Sequence, residues 1–374
     1  MPFDAREASA RNPVASTPPA PHASQRSIAV WLFAVCGMIL VMIVLGGVTR
    51  LTGSGLSIME WAPVSGIIPP RTHAEWEALF ALYKTIPQYQ LLHQGFGLAG
   101  FEHIFWLEWV HRLWGRLIGL VFLVPLIWFW ATGKIGRRLG WRLVGIFALG
   151  GLQGAIGWFM VASGFFPDST AVTPGRLVMH LAMALVLYAA ILWTGLGLLR
   201  PVPLIPRHGS TLMRALLRGC ALSLALTIVA GGFVAGTHAG FQYNTFPLME
   251  GRLVPANYDR LHPFLSNLTE NVAAVQFDHR VLATITAISA LAAGLVVFAA
   301  PAGRPARAPA LLLVGAVLLQ FCLGVATLLT VVPVPLAAVH QAGAVLALTA
   351  ALVALHRSRP EPKLPARAIA QRCT

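Results

Sequence analysis

The chain has 374 residues, of which 57% are hydrophobic and only 11% charged, and its mean hydropathy is +0.71. That composition excludes both a soluble globule and a disordered chain, which carry far more polar surface. The formal net charge of +14 is spread as a topology signal and not as a nucleic-acid patch.

Residues 1–27 hold Pro13, Pro18, Pro19 and Pro21 among scattered Ser and Ala, and read as a disordered cytoplasmic tail. The first apolar stretch is long enough to span a bilayer and lacks a cleavage site, so a removed secretory signal is not expected. Arg6, Arg11 and Arg26 fit a mitochondrial presequence, whereas Asp4, Glu7 and the prolines argue against one. A bacterial inner membrane is the favoured address and the mitochondrial inner membrane the lesser one.

Apolar stretches of about 20 residues, the length that crosses a hydrocarbon core of roughly 30 Å, run near 28–48, 112–132, 141–161, 178–199, 215–236, 280–300, 309–332 and 337–356. The expected fold class is an all-α polytopic membrane protein with eight transmembrane helices. Of the 27 Lys and Arg, 18 fall in the two tails and the connections near 133–142, 200–218 and 301–308, while ten of the 13 acidic residues lie on the other side. By the positive-inside rule both termini are then cytoplasmic, with 49–110, 162–177, 237–279 and 333–336 external and a basic rim facing anionic lipid heads. Cys36, Cys220 and Cys322 stand in apolar helices and Cys373 in the C-terminal tail, so no external disulfide is expected.

An internal repeat organises the chain. Gly46, Gly47 and Gly55 recur 185 residues later as Gly231, Gly232 and Gly240, and Gln153 and Gly157 recur 167 residues later as Gln320 and Gly324. His111-Arg112 recurs as His279-Arg280, and His180 as His340. Aligned glycines, glutamines and histidines imply two pseudo-repeated four-helix bundles, 28–199 and 215–356, joined by a cytoplasmic linker at 200–214 and followed by a cytoplasmic tail at 357–374.

Each half thus offers one histidine on its second helix and one on its fourth, within about the first turn of an apolar segment. An ionisable side chain buried in a membrane helix is costly and is kept mainly for function. Four at one depth fit two pairs of axial haem-iron ligands, since bundles build cofactor sites from facing helices, or a proton path. Gly115, Ala184, Ala283 and Ala344, each four residues on, would let a flat macrocycle lie near the backbone. His22, His73, His93, His208, His262 and His356 read as solvated, and His103 and His238 as external residues near a site edge.

Glu108 breaks the symmetry. It precedes His111 by three residues, on the same helix face, whereas the matching position in the second half is Gln276. It is a candidate acid or base for the first site only, or else an ion-pair partner of Arg112 or Arg116; Glu102 is a weaker candidate. Arg112, Arg116, Arg176 and Arg280 gather at the same helix ends. Guanidinium groups there suit haem propionates, with snorkelling to lipid phosphates the reading for Arg116 and Arg176.

At these residues the chain resembles the haem A synthase family. The segments that carry the resemblance are GGVTRLTGSGLSIMEWAPVSGIIPP from Gly46, FEHIFWLEWVHRLWGR from Phe101, QGAIGWFMVASG from Gln153, YNTFPLMEGRLVP from Tyr243, QFDHR from Gln276 and LGVATLLTVVPVPLAAVHQAG from Leu323. They follow the family's order over nearly the whole of 28–356, within the subgroup that lacks an external cysteine pair. The resemblance implies oxidation of the haem O methyl group to a formyl group by successive hydroxylation, giving haem A in cytochrome oxidase biogenesis. It also implies a haem b cofactor on His279 and His340, and substrate haem at His111 and His180 with Glu108. Haem O synthase, an electron donor or acceptor, and a second copy of the chain are further partners left open. A di-haem b-type cytochrome drawing electrons from quinol would use the same four histidines, and a transporter would use them as proton relays.

Overall fold

The computed structural model describes residues 23–167, 169–199, 211–299 and 304–359. Its helices are α1 (Ala23–Leu51), α2 (His73–Tyr83), α3 (Pro87–Leu92), α4 (Leu98–Ala131), α5 (Arg137–Ala162), α6 (Pro174–Leu199), α7 (Thr211–Gly236), α8 (Val272–Ala299), α9 (Arg304–Leu329) and α10 (Val334–Arg357). All but α2 and α3 are long and apolar enough to cross a membrane, which makes eight spans among the described residues. Helices dominate because a spanning segment in lipid must satisfy its own backbone hydrogen bonds. Pro125 in α4 and Pro309 in α9 are accommodated within them.

Several helices begin before the apolar stretches do. α1 starts at Ala23, inside the stretch read as a tail, and the first residues of α7, 211–214, fall within the expected linker. The largest difference is α4, whose 34 residues extend about 51 Å at 1.5 Å per residue. The aromatic segment from Phe101 to Trp109 is therefore helical and reaches beyond a hydrocarbon core. Residues 200–210 and 360–374 lie outside the described residues.

The packing forms two rings. α1 packs on α4, α4 on α5, α5 on α6 and α6 back on α1; likewise α7 on α8, α8 on α9, α9 on α10 and α10 on α7. Contacts of α6 with α7 and of α10 with α1 and α6 join the rings. α4 and α6 therefore stand on a diagonal of the first ring, and α8 and α10 on a diagonal of the second.

One apolar core runs through both rings, including Leu32 and Val35 of α1, Leu143 of α5, Cys220 of α7 and Ala293 of α8. Lipid is as apolar as leucine, so close packing and not transfer from water holds such helices together. Close approach is visible at Gly236, where an added Cβ would lie 2.9 Å from Pro174. A second cluster, with Tyr83, Phe101 and Phe105 at its centre, joins α2 and α3 to the start of α4. α2 is fixed there by a capping box of Thr72 and Glu75.

Interior and lipid-facing leucines should respond differently. Leu32 is 0% exposed and Leu222 63% exposed. Leu32→Ala is expected to lower stability by about 2–5 kcal/mol through the cavity it opens, and Leu222→Ala to leave the melting temperature in detergent nearly unchanged. Equal losses would contradict the ring packing.

Candidate functional site

The four histidines sit on the two diagonals, His111 on α4 opposite His180 on α6, and His279 on α8 opposite His340 on α10. Because the helices start before the apolar stretches, His180 and His340 stand six residues inside their helices, His279 seven and His111 thirteen.

Each imidazole faces a glycine of the neighbouring helix. An added Cβ would meet the Cε1 of His111 at 3.1 Å from Gly46, of His279 at 3.0 Å from Gly231, and of His180 and His340 at 2.8 Å from Gly157 and Gly324. These glycines marked the repeat in the sequence; their contact with the histidines was missed. The small residue four positions on is a poorer guide, since Gly115 faces Met42 of α1.

What holds the rings differs between halves. His279 Nδ1 donates to the Thr227 carbonyl at 3.0 Å, which leaves Nε2 with a free lone pair for a metal. His111 Nδ1 is buried without a partner. Gln153 Nε2 donates to the His180 carbonyl at 3.0 Å and lies 3.2 Å from its Nδ1; Gln320 repeats this at His340 with 2.8 and 3.0 Å. The two glutamines are thus site residues that sequence reasoning used only as repeat markers, and a backbone acceptor such as Thr227 left no sequence signal.

One turn before His111, Glu108 is buried, and both its oxygens are occupied. Oε1 accepts from Arg112 Nε at 3.0 Å and Nη2 at 2.6 Å, and Oε2 from Ser57 Oγ at 2.7 Å and the Ile58 amide at 3.0 Å. Arg112 also donates to the carbonyls of Ile58 and Glu60. Arg280 repeats this fork on the carbonyls of Tyr243 and Thr245, each 185 residues on, and on Gln276 Oε1. Gln276 in turn donates to Ala239 and Gln242. The forks tie each loop down onto its histidine helix, so most donors of Arg112 and Arg280 are engaged by protein.

Arg116 and Arg176 are not free to snorkel as expected. Arg116 holds the carbonyls of Ala62 and Pro63, and Arg176 lies 3.8 Å over Phe159 while donating to its carbonyl. Arg116 Nη1 and Arg280 Nε are buried donors without a partner, available to an anionic group at the rim. Over the first site Trp61 stacks on Trp158, with Arg112 against the same indole.

Of the histidines read as solvated, one is buried and another only half-exposed. His356 is buried at the far end of α10, edge-on to Trp193, and His93 stacks on Phe96 and contacts the Tyr83 hydroxyl. His73 does lie at the surface beside Glu77, and His103 is exposed. His238 accepts from Arg50 Nη2 at 2.8 Å, and Arg50 also donates to the carbonyls of Ala235 and Gly236. Arg50 went unremarked in the sequence, although a charge in the last turn of an apolar helix was its signal.

Among the described residues no three His, Cys, Asp or Glu side chains converge as ligands for a bare metal ion. Each ring instead offers two imidazoles, each with a glycine clearing its edge, and imidazole is the donor type that could serve as an axial ligand of haem iron.

Residues 29–352 match the family COX15-CtaA, described as cytochrome oxidase assembly protein. A protein of Granulibacter bethesdensis named "Heme A synthase" is 60% identical over 89% of this chain and 87% of its own length. A "Heme A synthase" of Rhodospirillum centenum is 49% identical over 92% of both chains, and a "Heme A synthase 2" of Acidiphilium cryptum 50% identical over 91% of this chain and 93% of its own.

Partial burial, and then the Arg50 charge, hold His238 below the ordinary histidine range. A group whose pKa falls in this way on folding contributes stability that is complete above the ordinary value and lost as pH drops through the lowered one. Thermal stability should therefore fall between neutral and mildly acidic buffer, and fall less in His238→Asn, which keeps an acceptor and tolerates the left-handed backbone at φ 56°. The same acid loss in both chains would show that His238 is not the group responsible.

Proposed function

We propose, for a chain that belongs to the COX15-CtaA family of cytochrome oxidase assembly proteins, that the first ring receives haem O and the second holds haem b. The activity is oxidation of the haem O methyl group to a formyl group, giving haem A. The protein is a multi-pass protein of the bacterial inner membrane. The Lys and Arg distribution supports both termini on the cytoplasmic face, which puts the histidine ends of both rings on the outer side.

The observation that carries the assignment of rings is Glu108. Two frames share their glycines, histidines, glutamines and arginine forks, yet only the first sets a carboxylate one turn from its histidine. Where a methyl C–H bond is oxidised with loss of its proton, the two electrons leave to an external acceptor and the proton to a base, a role that a carboxylate beside the substrate would fill. Glu108 takes that proton at Oε2, where its partner Ser57 is a hydroxyl able to turn away, while Arg112 keeps Oε1 in place. His111 and His180 would hold the macrocycle across the diagonal, and Arg116, whose Nη1 is a buried donor without a partner, would bind an anionic group on it.

In the second ring the Thr227 carbonyl presets the imidazole of His279, and Gln320 holds the helix at His340 through its backbone carbonyl. Haem b bound there supplies one-electron transfer. Gln276 replaces the carboxylate and keeps the loop closed without offering a base.

The reading is tested by extracting haems from cells that make haem O, with and without the chain. Haem A or its hydroxylated precursor is expected only when the chain is present. Haem O left unchanged beside bound haem b would instead favour an electron-transferring di-haem cytochrome.

Glu108→Gln places in the first ring the residue that the second ring carries. It is expected to leave haem bound and to lower formyl formation by roughly 10²–10⁴-fold, the usual contribution of a general base; near-normal turnover would remove Glu108 from the chemistry. Gly324→Ala, whose new Cβ would lie 2.8 Å from His340, should strip haem b from the purified protein, read as loss of its visible absorption. Retention of a normal spectrum would count against His340 as a ligand.

A further inference from the structure

Gly46 and Gly47 are adjacent near the end of α1 and face different sites. A Cβ at Gly46 would meet His111 of the first ring, whereas one at Gly47 would fall on the Gln341 side chain of α10. Gln341 follows His340 directly, and its Nε2 donates to the Ile43 carbonyl of α1 at 3.0 Å. The side chain thus enters the backbone ladder of α1 through the gap that Gly47 leaves open.

At the equivalent crossing, Gly231 faces His279, and Gly232 faces Leu181 and Val178 of α6. Leu181 follows His180. A glycine pair therefore touches both sites on either side of the molecule, but one contact is a hydrogen bond and the other apolar. An apolar contact can slide, while an amide buried among helices is held by its acceptor, because water is not there to replace it.

Resting on the two-ring reading above, we propose that Gln341 is a positioning residue that fixes His340 relative to α1, so that the state of the first site reaches the second through His111, Gly46, Gly47 and Gln341. These contacts form a contiguous packed and hydrogen-bonded path of the kind through which sites are coupled. A partner that orients a ligand imidazole tunes the group it binds. Substrate at His111 would in this way alter the redox behaviour of the haem held by His279 and His340.

The test uses the full chain, purified in detergent with its haem. The midpoint potential and visible spectrum of the haem on His279 and His340 are measured in the unaltered chain, in His111→Ala, in Gln341→Leu and in the double variant. His111→Ala is expected to shift the potential when Gln341 is present and to leave it unmoved in the Gln341→Leu background, so that the two changes are not additive. Gly47→Ala, which displaces Gln341 without changing it, should behave as Gln341→Leu does. A shift of the same size in both backgrounds, or none in either, overturns the proposal, and a Gln341 with a purely structural role would give the first of these. Haem missing from the unaltered chain would instead overturn the two-ring reading itself.

Discussion

Four imidazoles must be seated inside membrane-spanning rings, and the rest of the structure follows from how they are fitted. Each occupies the width of a side chain between helices that pack closely, and each gains that width from a glycine opposite, Gly46, Gly157, Gly231 or Gly324. Because interiors pack near crystal density, a single added methyl there must move either the ring or the helix. The diagonal placement of each pair follows from the order of the helices around the ring. The arginine forks then set the loops against the same helices at matching positions, Ile58 and Glu60 in one half and Tyr243 and Thr245 in the other.

On this shared frame the two sites differ in how complete they are. His279 has its Nδ1 satisfied by Thr227, whereas His111 has none, and the position matching Thr227 in the first half is Met42. A preset imidazole suits a group that stays bound. An imidazole free to adjust suits a site that must accept one macrocycle and release another, since conformational restraint would hinder exchange. The Glu108–Arg112 pair adds a carboxylate to the first site alone, whereas an aromatic pair joins loop to helix in both halves, Trp61–Trp158 in the first and Phe246–Phe321 in the second. On the proposed reading, this asymmetry between frames of one design is what would separate a substrate role from a cofactor role.

The eight spans, the placement of one histidine on each of α4, α6, α8 and α10, and the carboxylate one turn before His111 were legible because they rest on hydropathy, periodic spacing and residue identity. The ends of the helices were less so: the aromatic residues before His111 look like a loop in a hydropathy profile, yet they continue α4 because Phe101 and Phe105 pack against α2. Arg116 and Arg176 were read as lipid-facing since nothing local reveals that loop carbonyls lie within reach. His356 was placed in solvent from its position at a span end, and Trp193, far off in sequence, covers it. Contacts made to backbone atoms, or across long separations, leave little trace in residue type.

The join between the rings is polar where it is specific. Arg50 reaches the last carbonyls of α7, Gln341 reaches Ile43, and the Tyr188 hydroxyl meets Thr349 at 2.7 Å. Hydrogen bonds between membrane helices contribute only about 0.6 kcal/mol each on average, so these few cannot account for the stability of the pair of rings. Their effect is on register. Packing sets how closely the helices approach, and a hydrogen bond adds a fixed pairing of turns, because a donor that loses its one acceptor there finds no other nearby. A fixed register between the rings is what these polar bridges among the described residues supply, together with Arg359 and His356 against Trp193 of α6.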